Sequence, residues 1–197
     1  MKRILLVGLF LFAGLSQAAP VTIDFEEITL GSSNFTSQGF DFRAFNPDGG
    51  SAGVITDGSG NQSLQLSVNG LCGTYCSTAS VIMTSLDGGV FSLLSADLSL
   101  VTCGVGMQCE IQVYGRMLDG GSATGAIGSS DWLNLTEVWF STSGSDPSGT
   151  FQQSVLNVDN VVVQAVPIPA AVWLFATALS CLGFFGRTNY GTKNRVS

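Results

Sequence analysis

The chain contains no histidine. That absence removes the commonest general base and the commonest neutral metal ligand, and with them serine–histidine and cysteine–histidine catalysis and histidine-based metal sites. Charge is scarce as well. Only 11% of residues carry it, 7 basic against 14 acidic, with a pI near 4.2. A chain this acidic lacks the positive footprint that phosphate backbones require, so nucleic acid is excluded as a partner. No long helical periodicity and no internal repeat of fixed period can be read. No G-x-S-x-G elbow occurs, and no motif pairs any two carboxylates. What remains is a chain of 197 residues, 45% hydrophobic, with 25 glycines. That length suits one domain with a sizeable core.

Both ends read as targeting segments. Lys2 and Arg3 precede an apolar stretch from Ile4 to Leu15, and Ser16-Gln17-Ala18 offers small residues around a cut after Ala18. Positive n-region, apolar h-region and small-residue exit together predict a signal peptide over 1–18. At the other end, Ala170 to Gly186 carries no charge. As a helix, that run spans about 25 Å, enough to cross a bilayer with some thinning. Trp173 lies near one end of it, where an indole ring favours the interface. Arg187, Lys193 and Arg195 follow. The positive-inside rule therefore expects the C-terminus in the cytoplasm and the body, 19–165, outside.

The string Val166-Pro167-Ile168-Pro169-Ala170-Ala171-Val172-Trp173-Leu174-Phe175, an apolar run and the basic tail beginning at Arg187 together resemble the PEP-CTERM sorting signal. Ile168 stands where the name-giving Glu would be, and the tail disperses its charges instead of clustering them. The resemblance implies an exported protein held first in the inner membrane over 166–197. Exosortase, a membrane cysteine protease, would then cut it and leave it on the cell surface or in the extracellular polysaccharide. The proline pair suits such a cut. Proline fixes φ and forces its predecessor into the extended form that a protease groove binds.

The body holds all 14 acidic residues but only Arg43 and Arg116 as cations. Gly, Ser, Thr and Asn punctuate short alternating apolar stretches, which predicts an all-β sandwich of eight to ten strands. Val21, Ile23 and Phe25 share one face of VTIDFEE, Phe40 and Phe42 one face of GFDFRA, and Leu64, Leu66 and Val68 one face of QSLQLSV. ASVIMTS and VFSLLSADLSLV read as more buried, and EIQVYGRM and FQQSVLNVDNVVVQAV as further strands. DWLNLTEVWF alternates through Leu133 and Leu135, then shifts phase toward Val138 and Phe140, as at a bulge. TIDFEE, GFDF, FSLLSADLSL and VDNVVV are similar to strings in other PEP-CTERM precursors, a likeness that implies a jelly-roll-like sandwich.

Of five cysteines, Cys181 falls in the expected span. Cys72, Cys76, Cys103 and Cys109 lie in the body, where export permits disulfides. Local closure, Cys72–Cys76 and Cys103–Cys109, would pin two Gly-rich loops, and cross-pairing is the alternative. Their spacing fits zinc ribbons poorly. DGSGN at 57–61 echoes the start of a calcium loop but lacks its later Gly and Glu, so a tight turn is expected. Sandwich modules of the resembled kind bind calcium between early and late acidic residues, here Glu26 or Glu27 with Asp159. These read instead as solvated strand-end charges, so no metal or cofactor is expected. Tyr75, Tyr114, Trp132 and Trp139 are candidates for stacking on sugar rings. The reading is a non-enzymatic surface or matrix protein with a structural or interaction role in the polysaccharide layer. A carbohydrate-binding module is the alternative, and a carboxylate-based glycoside hydrolase a third reading.

Overall fold

A computed structural model describes residues 18–45, 50–57, 59–71, 78–103, 108–145 and 151–166. The signal peptide up to residue 17, Cys72, Tyr75, Cys76, the sorting signal from Pro167 to Phe175 and Arg187 lie outside these residues. Among the described residues no helix is long and apolar enough to cross a membrane.

The alternating stretches become strands. In chain order these are β1 (Val21–Ile23), β2 (Asn34–Ser37), β3 (Phe40–Phe45), β4 (Ser51–Thr56), β5 (Gln62–Leu71) and β6 (Thr78–Ser85). They continue with β7 (Phe91–Cys103), β8 (Gln108–Met117), β9 (Ser122–Ala123), β10 (Leu135–Ser145) and β11 (Phe151–Ala165). Every pairing among them is antiparallel. The all-β class expected from the alternation is therefore present.

Hydrogen bonding links these strands into one sheet in the order β2-β3-β6-β10-β7-β11-β5-β4, with β8 beside β10, β9 beside β8 and β1 beside β11. The join between β10 and β7 is a single residue pair, Leu135 with Phe91. On one side of it, β10 pairs with β6 from Glu137 to Ser143 and with β8 from Leu135 to Ser145. On the other, β11 pairs with β5 and β7 along most of its length. Phe42, Val81, Met83 and Phe140 from the first half bury with Leu64, Leu66, Leu93, Leu156 and Val163 from the second in one core. The sheet thus curls so that both halves close on the same apolar interior. Burial of this apolar area is the main favourable term in folding.

Several local departures have physical causes. VTIDFEE is a strand only to Ile23, because Phe25 adopts φ +62. Its ring still enters the core, edge-on to Phe35 at 5.9 Å and to Phe42 at 5.5 Å between centroids. The phase shift in DWLNLTEVWF is real. The register of β10 against β8 slips between Leu135 and Glu137. The start of that stretch is no strand, since Ser130–Trp132 is a 3-10 turn and Leu133 is exposed. A second irregularity, between Asp159 and Val162 of β11, coincides with Asn160 at φ +46. Asn tolerates that left-handed region better than most residues. β2, β4 and β9 are strands that the sequence reading does not single out.

Candidate functional site

Strand pairing places the outward side chains of β3, β6, β10 and β8 in cross-strand rows. One row is Phe45, Ser80, Ser141 and Gln112; the next is Arg43, Ile82, Trp139 and Tyr114; the third is Asp41, Thr84, Glu137 and Arg116. The inward positions Phe42, Val81, Val138 and Phe140 anchor the same strands in the core. The period of two that buries those residues necessarily displays their neighbours.

Trp139 is the centre of this face. Tyr114 stacks on it at 5.4 Å with an interplanar angle of 16°. Phe45 meets it edge-on at 5.5 Å and 78°. The outer two rings remain open, with Phe45 49% and Tyr114 37% exposed. The result is an aromatic strip across the sheet, roughly three strand spacings or about 14 Å wide. Trp139 Nε1 is shielded without a hydrogen-bond partner. An unmade bond of that kind costs about 1–3 kcal/mol, so the packing of the three rings must offset it.

Polar groups border the strip. Ser80 Oγ donates to Ser141 Oγ at 3.0 Å, and Gln112 Nε2 donates to Glu110 Oε2 at 3.0 Å. Both cations of the body are also here. Arg43 pairs with Asp41, and Arg116 Nη1 reaches Glu137 Oε1 at 3.3 Å. Burial against the strip raises the Tyr114 hydroxyl pKa; the Glu137 carboxylate adds to the rise and Arg116 opposes it. Tyr114 therefore stays neutral throughout the physiological range. Ring faces beside hydroxyl, carboxamide and carboxylate groups can take the C–H face of a sugar while hydrogen-bonding its hydroxyls.

The opposite half carries a polar cleft of about 520 Å³, lined in part by Asp57, Asn61, Ser63, Asp97, Asn157 and Asp159. It unites two regions that the sequence keeps apart, the DGSGN turn and the late Asp159. Asn61 Nδ2 donates to Asp159 Oδ2 at 3.0 Å, and Asn160 Nδ2 donates to Asp97 Oδ2 at 2.9 Å. Asp57 Oδ1 accepts from the backbone N–H groups of Ser59 and Asn61, which is the tight turn expected there. Glu26 lies against the residue next to Asn61. Its Oε1 accepts the backbone N–H of Gln62 at 2.9 Å. Among the described residues, no three His, Cys, Asp or Glu side chains are grouped to hold a metal ion.

No protein-family model matches the chain, and no curated protein matches it. Solved structures similar to it include an arabinose-bound GH51 α-L-arabinofuranosidase, 13% identical over 78% of this chain and 27% of that one, with a TM-score of 0.40. An exo-β-agarase is 10% identical over 75% of this chain and 25% of its own, at 0.38. The CBM22-1 xylan-binding domain from Paenibacillus barcinonensis Xyn10C is 15% identical over 79% and 99%, at 0.37. The chain spans about a quarter of the length of the two enzymes. Likeness this slight carries no weight for what the chain binds or does.

The expected site residues distribute unevenly. Tyr114 and Trp139 come together on the outer face, whereas Trp132 is fully buried and has no surface for a ligand. Phe45 and Arg43 belong to the face although the sequence reading did not select them. Their alternation with Phe42 in FDFRAF was the available signal. Cys103 and Cys109 form a disulfide with their Cα atoms 6.0 Å apart. It closes the connection from β7, which pairs with β11, to β8, which pairs with β10.

Proposed function

We propose that the chain is an exported surface protein, cut by exosortase near Pro169, whose body adheres to extracellular polysaccharide without turning it over. The strip of Phe45, Trp139 and Tyr114, open at both ends and bordered by hydroxyl and carboxamide groups, is the observation that carries this reading. In this reading the two halves of the sheet are the faces of a jelly-roll-like sandwich, and the outer face of β3, β6, β10 and β8 is its binding platform. A strip of this length suits an extended polymer better than a single sugar, because the open rings at its two ends can contact successive residues. Each contact is weak, and avidity along the chain supplies retention.

The test is a glycan array on the purified protein beside its Trp139→Ala and Tyr114→Ala variants. Saturable binding of the wild type to extended glycans, weakened at least tenfold in each variant, is the expected result. Equal binding by all three proteins would sink the platform. No binding by the wild type would leave the body a structural component of the layer. Incubation with any bound glycan should release no new reducing ends.

A further inference from the structure

We infer that the end of the body from which the chain leaves for the sorting segment is a bilayer-docking surface, used while the precursor is still anchored. This inference rests on the membrane-anchored topology proposed above. Four of the exposed large apolar side chains stand at that end. Leu86 is 57% exposed, Leu118 72%, Leu133 45% and Val166 37%. Three of them occupy turns or connections between strands, where polar residues are the usual choice.

Backbone pairing brings them together. The Leu86 N–H donates to the Gly39 carbonyl, just past the pair formed by Phe40 and Ser85. Leu118 N–H donates to the carbonyl of Asn134, which places it beside Leu133. β6, β10 and β8 are neighbours, and Thr84, Glu137 and Arg116 share a row immediately before these tips. Val166 N–H donates to Val90 O at the start of β7, whose Phe91 pairs with Leu135. The chain therefore departs toward Pro167 from the same end that displays the leucines. The first residues of the body emerge there too, since Val21 pairs with Val163.

The occupant is a lipid surface because the uncharged run from Ala170 to Gly186 begins within four residues of Val166. A body tied so closely to a span sits at high effective concentration next to the bilayer, so weak insertion of a few leucines suffices. Two of the carboxylates at this end, Asp87 and Asp119, fold back into their own turns. Asp87 Oδ1 accepts from Ser85 Oγ and from Gly89 N–H, and Asp119 Oδ1 accepts from Gly121 N–H. Their charge remains, so zwitterionic lipid is favoured over anionic lipid.

The experiment uses the full chain reconstituted in vesicles of phosphatidylcholine brominated on its acyl chains, which quench nearby indoles. In the wild type, quenching of Trp173 reports whether the segment inserts. In a Trp173→Phe background, Leu118→Trp reports the docking end and Ser51→Trp the far end, where β4 begins beside Ser67. The expected result is loss of the Leu118→Trp emission above that of Trp132 and Trp139, with no loss from Ser51→Trp. Adding Leu86→Ser and Leu133→Ser should restore the emission, as should admixture of phosphatidylglycerol in part. Quenching of Trp173 without quenching at 118 overturns the docking surface and leaves the anchor standing. Equal quenching at 51 and 118 overturns it by showing no preferred end. An unquenched Trp173 removes the anchor and the inference together.

Discussion

Phe25 combines two properties that rarely meet, φ +62 and nearly complete burial. A bulky side chain in the left-handed region is strained, and such strain persists only where surrounding contacts over-determine it. Here the edge-on rings of Phe35 and Phe42 supply those contacts. Phe25→Ala should lower the unfolding free energy by about 3–5 kcal/mol in a denaturant titration, the range for large core deletions. Tyr114 gives a second test at this scale. Its folded pKa is raised, so the stability it confers is full below the unfolded value of about 10 and is lost as pH rises through the folded value. Ultraviolet titration of the native protein should show a tyrosinate step above the ordinary range that Tyr114→Phe removes. Asp87 has the opposite sense. Hydrogen bonds from Ser85 and Gly89 hold its carboxyl below the usual range, so its contribution is present above pH 4 and fades at lower pH. The periodicity of EIQVYGRM and LTEVWF already put Tyr114 and Trp139 on one kind of face. Nothing local could say that the two would stack, because that depends on the register between β8 and β10.

At the scale of elements, alternation was a faithful guide where a strand has one face in the core, as in β3 and β5. It was weaker where other forces decide. β2 is short and polar and β4 is broken by Gly53, and their pairing with β3 and β5 is what makes them strands. The segment after β9 was legible only as loop. Its Gly128 has φ +85, and a Cβ there would lie 2.6 Å from the carbonyl oxygen of Leu94. That oxygen belongs to the backbone of β7 and cannot move aside. Gly128 therefore lets the loop bearing Trp132 press onto β7. Gly128→Ala should destabilise the fold by about 1–3 kcal/mol, with a matching drop in the thermal midpoint, whereas Gly120→Ala, with nothing near its Cβ, should cost only the backbone strain of about 1 kcal/mol.

For the whole molecule, both cations of the body gather on one face, each beside a carboxylate. Arg43 and Arg116 both stand on the aromatic side, while Asp57, Asp97 and Asp159 line the cleft on the other half. The total of 14 carboxylates was plain from composition, but the gathering of both arginines beside the rings was not, since it depends on which strands become neighbours. The targeting readings belong to this scale as well, and mass spectrometry addresses them. The intact mass of the protein from its native cell should correspond to a chain beginning at Ala19 and ending at or near Pro169. A mass that includes Arg195 would count against cleavage.

The last strand is also an interior one. β11 has β7 on one side and β5 and β1 on the other. A polypeptide threaded outward from its N-terminus would hold β1, β5 and β7 waiting, without the partner that joins them, until residue 165 had emerged. If the chain is exported as proposed, assembly of the domain and arrival of the apolar tail would fall within the same short interval. Delivery of the tail would itself be the signal that the cargo ahead of it has become able to fold.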